Sequence, residues 1–178
     1  MGMTPLQTLP LARGDVLFAT RSDIHSPLQG VSNEAWTRFV TALETQTLST
    51  ISSSNALGAY EMRPRRLQDL KMMTNLHVIR KPVPGSDTPR QIWEGDFIPP
   101  YTLKKFLSDP VLQYTTLVKS VLEHDKELAK RTYPSEITRS GALALLHRGG
   151  WSMFDSWSNP KKRFSSTNYL FLKTNGVF

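Results

Sequence analysis

The chain contains no cysteine among its 178 residues, so disulfide bonds and thiolate metal sites are excluded. No window of the sequence is apolar for long enough to span a membrane. The N-terminus lacks a charged segment followed by an apolar one, which is the pattern of a secretory signal. No HExxH or similar spacing joins the four histidines. We therefore expect no metal site, no cofactor and no membrane span.

Acidic residues are the minority among the charged ones. Asp and Glu number 15 against 22 Lys and Arg, which gives a net charge of +7 at pH 7. With an isoelectric point near 9.8, this balance favours a polyanionic partner such as nucleic acid, an anionic membrane or a bacterial wall polymer. The hydrophobic content of 39% and the mean hydropathy of -0.34 are typical of a globular protein.

The periodicity of apolar residues predicts a mainly α fold of the α+β class in one domain. Residues 1–31 are rich in Pro and Gly, and we expect an extended N-terminal arm there, with the domain covering residues 32–178. Ser32 or Asn33 can cap the first helix, which should end near Glu44 or Thr45. Pro64 is placed to open the second.

The middle of the chain breaks the helical pattern. Strand-like residues at 78–79 and 91–93 flank a turn-forming segment at 82–87, so a small hairpin or irregular β lobe is expected. Four further helices are predicted over residues 102–107, from Pro110 to about Ala129, from Ser135 to Gly149-Gly150, and over 167–173, with a short helical piece at 151–157. The stripe of the second of these includes Val111 and Leu122.

One acidic residue stands out at the end of the first predicted helix. Glu44 follows the apolar positions Trp36, Phe39, Val40 and Leu43. A carboxyl group that is partly desolvated beside apolar side chains has a raised pKa, which a general acid at a glycosidic oxygen needs. Glu44 is therefore a candidate catalytic acid, and a solvated charge at a helix end is the alternative.

A Ser/Thr-rich loop and a segment of small residues follow Glu44. Asn55 offers an amide, Gly58 permits close approach of a ligand or of backbone, and Tyr60 offers a flat ring and a hydroxyl to a sugar. These three are candidate substrate-binding residues. An ordinary loop packed on the core is the alternative.

The stretch from Leu43 to Pro64 resembles the active-site region of the lysozyme-like superfamily, above all the soluble lytic transglycosylases and their phage relatives. In that family a glutamate followed by Ser or Thr precedes a Gly-Ala/Leu-Tyr/Met-Gln-hydrophobic-x-Pro segment. Here Glu44-Thr45 precedes Gly58-Ala59-Tyr60-Glu61-Met62-Arg63-Pro64. The resemblance implies a lysozyme-like helical domain in which Glu44 is catalytic.

The chain departs from the family pattern at Glu61, where the family has glutamine. The gap after Glu44 is also one residue shorter. A carboxylate at position 61 can pair with a neighbouring arginine (Arg63, Arg65 or Arg66) or serve as a second acid group. Glu61 is thus a candidate substrate-binding residue and the alternative catalytic acid.

A second resemblance lies in the segment Gly141–Gly150, GALALLHRGG, which is similar to a later helix of the same superfamily. Phage-type members often have a histidine followed by Gly-Gly, as His147 is here. The resemblance implies that His147 binds the sugar or positions Glu44. A histidine that caps the C-terminal end of the helix is the alternative.

Together these resemblances imply an enzyme that degrades peptidoglycan. It would cleave the β-1,4 bond between N-acetylmuramic acid (MurNAc) and N-acetylglucosamine (GlcNAc), with Glu44 as single general acid and base, as a lytic transglycosylase or a muramidase. Its partners would be glycan strands of the cell wall. Since no secretory signal is present, we expect synthesis in the cytoplasm and delivery to the wall by a phage particle or a secretion machine.

Two other functions stay open from the sequence. A non-catalytic lysozyme-like module could bind the wall or form a structural part of a phage or secretion apparatus. Arg63-Pro64-Arg65-Arg66 and Lys161-Lys162-Arg163 could contact nucleic acid, but no recognition motif accompanies them. Solvated charge is their default explanation, so no nucleic-acid partner is expected.

Overall fold

The computed structural model of the protein describes residues 24–159 and 169–178. Its helices are α1 (Asn33–Leu43), α2 (Pro64–Asp69), α3 (Leu103–Phe106), α4 (Pro110–Leu128), α5 (Arg139–Ser158) and α6 (Tyr169–Thr174). Two strands, β1 (Met73–Lys81) and β2 (Arg90–Phe97), pair as an antiparallel hairpin between α2 and α3. The mainly α, α+β class predicted from the sequence is confirmed.

The described residues divide into two compact units. The first comprises residues 44–117, and the second comprises residues 24–43 together with the described residues from 118 onward. Of the predicted N-terminal arm, residues 1–23 lie outside the described ranges, as do the basic run at 161–163 and the predicted helix start at 167. All candidate site residues except His147 belong to the first unit.

Helix α1 forms as the sequence predicts. The hydroxyl of Ser32 accepts a hydrogen bond from the N–H of Ala35 at 3.1 Å and caps the helix. The apolar face is buried, with Phe39 and Val40 completely inaccessible. The helix ends at Leu43, just before Glu44.

The predicted hairpin is confirmed and is longer than expected. Val78 pairs with Trp93 and Ile79 with Ile92, within strands of nine and eight residues. The turn between the strands contains the predicted Pro82-to-Asp87 segment, where the N–H of Ser86 bonds to the carbonyl of Val83 at 3.1 Å.

Local capping signals explain where α3 and α4 begin. The hydroxyl of Thr102 accepts a hydrogen bond from the N–H of Lys105 at 3.0 Å. Asp109 Oδ1 accepts a hydrogen bond from the N–H of Leu112 at 3.0 Å. Pro110 occupies the first turn of α4, where the N–H that proline lacks would have no partner within the helix. Both starts agree with the prediction.

The predicted apolar stripe of α4 is partly wrong. Val111 is 52% exposed and Leu122 is 41% exposed. Buried polar side chains occupy the inward face together with Leu117, Val121 and Leu128; they are Gln113, Thr116, Ser120 and His124. A prediction from apolar residues alone misses this face, because a polar group can be buried at little energetic penalty when it is hydrogen-bonded.

The predicted start of α5 is also wrong. Its cap is Thr138, whose hydroxyl accepts from the N–H of Gly141 at 3.3 Å, and not Ser135. Asn175 fixes this start, because its Oδ1 accepts from the N–H of Thr138 at 2.8 Å. The predicted stop at Gly149-Gly150 is a kink at Gly150 (φ 68°), after which the helix resumes to Ser158.

Candidate active site

Glu44 lies immediately after α1 and is buried, with 3% of its surface exposed. The hydroxyl of Tyr60 donates a hydrogen bond to its Oε1 at 3.1 Å. The ring of Tyr60 is buried as well. The structure therefore brings together two of the residues that the sequence singled out, and it does not place Glu44 as a solvated charge at a helix end.

The backbone next to Glu44 explains why the helix stops there. The N–H groups of Thr45 and Gln46 both bond to the carbonyl of Ala59, at 3.0 and 3.1 Å. These donors turn to the loop instead of continuing the helical pattern. Since Ala59 precedes Tyr60, the same pairing sets Tyr60 opposite Glu44.

A tight turn presents Tyr60 to Glu44. Leu57 and Met62 exchange two backbone hydrogen bonds of 2.9 Å, which closes a loop of four residues between them. Within the loop, Gly58 has φ 77° and Glu61 has φ 50°. Glycine adopts such a positive φ without strain, whereas a non-glycine residue is held there by its surroundings.

Gln113 of α4 braces this turn, and sequence analysis missed it. Its Oε1 accepts from the N–H of Ala59 at 2.9 Å, and its Nε2 donates to the carbonyls of Leu48 and Phe106 at 2.8 and 2.7 Å. A Cβ at Gly58 would lie 2.6 Å from Gln113 Cδ. The close approach that Gly58 permits is therefore made by a side chain of the protein itself.

Burial, followed by the negative charge of Glu44 and their hydrogen bond, raises the pKa of the Tyr60 hydroxyl far above its ordinary value of 10.0. Tyr60 therefore keeps its proton throughout the physiological range. It acts as a fixed hydrogen-bond donor toward the carboxyl group.

The second carboxyl group lies in a different environment. Glu61 is half-buried, and its Oε2 accepts from the hydroxyl of Thr45 at 2.7 Å. Adjacent residues 44 and 45 thus contact adjacent residues 60 and 61, each through one side-chain hydrogen bond. The more buried acid is Glu44.

Asn55 anchors the Ser/Thr-rich loop to the hairpin. Its Nδ2 donates to the carbonyl of Trp93 at 2.9 Å, and its backbone has φ 62°. Nearby, Arg90 donates to the hydroxyl of Ser53 at 2.6 Å. The loop therefore lies against strand β2, and the amide that was a candidate sugar ligand has a protein partner.

His147 belongs to the second unit, where it is half-buried on α5 three residues before the kink at Gly150. Within residues 24–159 and 169–178, no three His, Asp or Glu side chains come together as a metal site would require. No helix in those ranges is long and apolar enough to cross a membrane.

Comparison with known proteins yields no relative. No protein-family model matches the chain, and searches of curated proteins and of solved structures find no significant similarity.

Proposed function

We propose that the protein degrades peptidoglycan by cleaving the MurNAc–GlcNAc β-1,4 bond, with Glu44 as the single general acid and base. The observation that carries the proposal is the buried carboxyl group of Glu44 with a protonated tyrosine as its donor. The resemblance of residues 43–64 to lytic transglycosylases indicates peptidoglycan as the substrate. The proposed chemistry needs no second carboxyl group from the hairpin, whose acidic residues are Asp87, Glu94 and Asp96.

In the proposed mechanism, protonated Glu44 gives its proton to the glycosidic oxygen while the bond from MurNAc C1 to that oxygen breaks. The resulting carboxylate then accepts a proton from the nucleophile that attacks C1. If the nucleophile is the 6-hydroxyl of the same MurNAc, the product is a 1,6-anhydro sugar. If it is water, the product is a reducing sugar. Either route returns Glu44 to its protonated form.

Tyr60 and Gln113 are positioning residues in this mechanism. The Tyr60 hydroxyl stabilises the carboxylate formed after the first proton transfer, because hydrogen bonds to charged groups are stronger than neutral ones. Gln113 holds the turn that carries Tyr60. The net charge of +7 favours adsorption to anionic wall polymers, and salt should weaken it.

The test is clearance of a suspension of purified peptidoglycan by the protein and by Glu44→Gln. Glutamine keeps the shape and an acceptor for Tyr60 but cannot donate an acidic proton. The matched control is Glu61→Gln, which makes the same substitution at the residue that follows Tyr60 in the turn and contacts Thr45. We expect Glu44→Gln to abolish clearance and Glu61→Gln to retain most of it.

Three results would redirect the proposal. Equal clearance by wild type and Glu44→Gln would remove Glu44 from the mechanism. Loss of clearance in Glu61→Gln alone would move the acid to position 61. Binding without any clearance by wild type would favour the non-catalytic wall-binding module of a phage particle or secretion machine.

A further inference from the structure

The hairpin has two chemically different faces. Side chains two residues apart on a strand share a face, so the cross-strand pairs Val78–Trp93 and Arg80–Gln91 lie on the same one. All four residues are exposed, including 41% of Val78 and 38% of Trp93. We call these four the outer face. Ile92 alternates with them and is buried.

The carboxylates of the two strands lie off the outer face. Glu94 and Asp96 share the alternation of Ile92, and both have partners there. Nε2 of His77 contacts Glu94 Oε1 at 3.1 Å, and Nδ2 of Asn75 donates to Asp96 Oδ2 at 3.2 Å. The outer face itself therefore presents apolar, amide and cationic groups without a carboxylate.

A second guanidinium is held on the outer face from α2. Cζ of Arg65 lies 5.1 Å from the ring centroid of Trp93. The indole ring is neutral, so it positions the cation without cancelling its charge. Within the described residues, neither Arg65 nor Arg80 has a carboxylate at ion-pair distance, whereas the adjacent Arg66 pairs with Asp69 at 3.5 Å.

We propose that the outer face, together with Arg65, docks a glycan strand that bears carboxylates. Trp93 offers a flat apolar ring to the C–H faces of sugar rings, and Val78 adds an apolar side chain beside it. The two guanidinium groups bind carboxylates, for which their planar fork is suited. This inference concerns binding by a surface other than the Glu44 cluster, and it holds whether or not Glu44 is catalytic.

The sparse charge of the outer face favours a glycan over nucleic acid. Duplex DNA carries one charge about every 1.7 Å, and proteins typically engage several phosphates at once. Two cations beside an exposed Trp–Val pair fit a polymer of sugar rings that have C–H faces and carry few charges. The exposed amide of Gln91 adds a partner for hydroxyl groups.

The test is cosedimentation of the full chain carrying Glu44→Gln with peptidoglycan stripped of phosphate polymers, in the cold, so that binding is read out apart from cleavage. The variant Arg65→Gln/Arg80→Gln should bind about tenfold more weakly, since each of the two ion pairs lost at exposed positions is worth about threefold. The control Lys81→Gln/Lys105→Gln removes the same charge from exposed positions off the outer face. It should bind within about twofold of the parent.

Two further measurements identify the ligand chemistry. Trp93→Ala should weaken binding as much as the double variant does, because it removes both the ring and the support of Arg65. Amidation of the peptidoglycan carboxylates should weaken binding by the Glu44→Gln parent. It should not further weaken binding by Arg65→Gln/Arg80→Gln. Equal binding by the arginine and lysine variants would overturn the proposal. The proposal would also be overturned if duplex DNA or the phosphate polymer of the wall bound more tightly than the stripped peptidoglycan, and if Arg65→Gln/Arg80→Gln abolished that binding.

Discussion

The hydroxyl of Tyr60 donates a hydrogen bond to Oε1 of Glu44 across 3.1 Å, between two buried side chains. A carboxyl group taken out of water needs such a donor, because burial without hydrogen bonds is costly. In the proposed mechanism the same donor stabilises the carboxylate that remains after proton transfer. The proposed mechanism thus uses a contact that also stabilises the folded first unit.

Tyr60→Phe should lower kcat about 10- to 100-fold, since one hydrogen bond to a charged group is worth about 1.5 to 3 kcal/mol. KM should change little because the ring remains in place. The measurement is the initial rate of peptidoglycan cleavage across substrate concentrations. Tyr169→Phe, at a position 70% exposed, is the control. Full activity in Tyr60→Phe would exclude this role.

Alkaline pH should destabilise the protein through Tyr60. Its pKa in the folded state is raised above the unfolded value of 10.0. Between the two values the folded chain holds a proton that the unfolded chain has lost. Stability is therefore intact below pH 10 and falls as pH rises, by about 1.4 kcal/mol per pH unit for one proton.

Chemical denaturation at several pH values from neutral to strongly alkaline measures that slope. Tyr60→Phe should reduce it by about one proton equivalent. An identical slope in wild type and Tyr60→Phe would show that the hydroxyl titrates normally.

Gly58→Ala should destabilise the first unit by about 2 to 4 kcal/mol, from strain at positive φ and from the clash with Gln113. Gly85→Ala is a matched control because Gly85 has nearly the same φ, 76°, and nothing within 4 Å of the added Cβ. It should cost about 1 kcal/mol. Comparable losses in thermal or urea unfolding of the two variants would mean that Gln113 does not brace the turn.

His77 should titrate above its ordinary pKa of 6.5. The carbonyl of Asn75 at 3.0 Å is the main cause, and the side chain of Glu94 is the second. The pair with Glu94 is therefore formed below pH 6.5 and is lost as pH rises through the raised pKa. Glu94→Gln should lower the pKa of His77 only in part, as followed by NMR, and Glu127→Gln in the second unit should leave it alone. A complete return to 6.5 in Glu94→Gln would contradict the leading role of Asn75.

Local chemistry made several boundaries predictable from the sequence. Thr102, Asp109 and Pro110 act within one helical turn of themselves, so their effect needs no knowledge of the rest of the fold. The same holds for Ser32 before α1. The hairpin was predictable because a turn-forming segment separates two strand-like runs.

Long-range contacts decided what the sequence could not. Thr138 caps α5 in place of Ser135 because Asn175, 37 residues away, holds its N–H. The importance of Gln113 depends on three backbone groups from separate segments: two loop positions, Leu48 and Ala59, and the last residue of α3, Phe106. The sequence hinted at a buried polar face only through the helical spacing of Gln113, Thr116 and Ser120. Glu44 and Tyr60 were both candidates, but their hydrogen bond requires the turn that closes between Leu57 and Met62.

Mass spectrometry of the fragments released from peptidoglycan tests the central claim most directly. We predict that wild type releases disaccharide-peptides cut between MurNAc and GlcNAc, and that Glu44→Gln releases none. Anhydro ends on these fragments would identify a lytic transglycosylase, and reducing ends a muramidase. Release of the same fragments at the wild-type rate by Glu44→Gln, or of fragments with every glycosidic bond intact, would contradict the account.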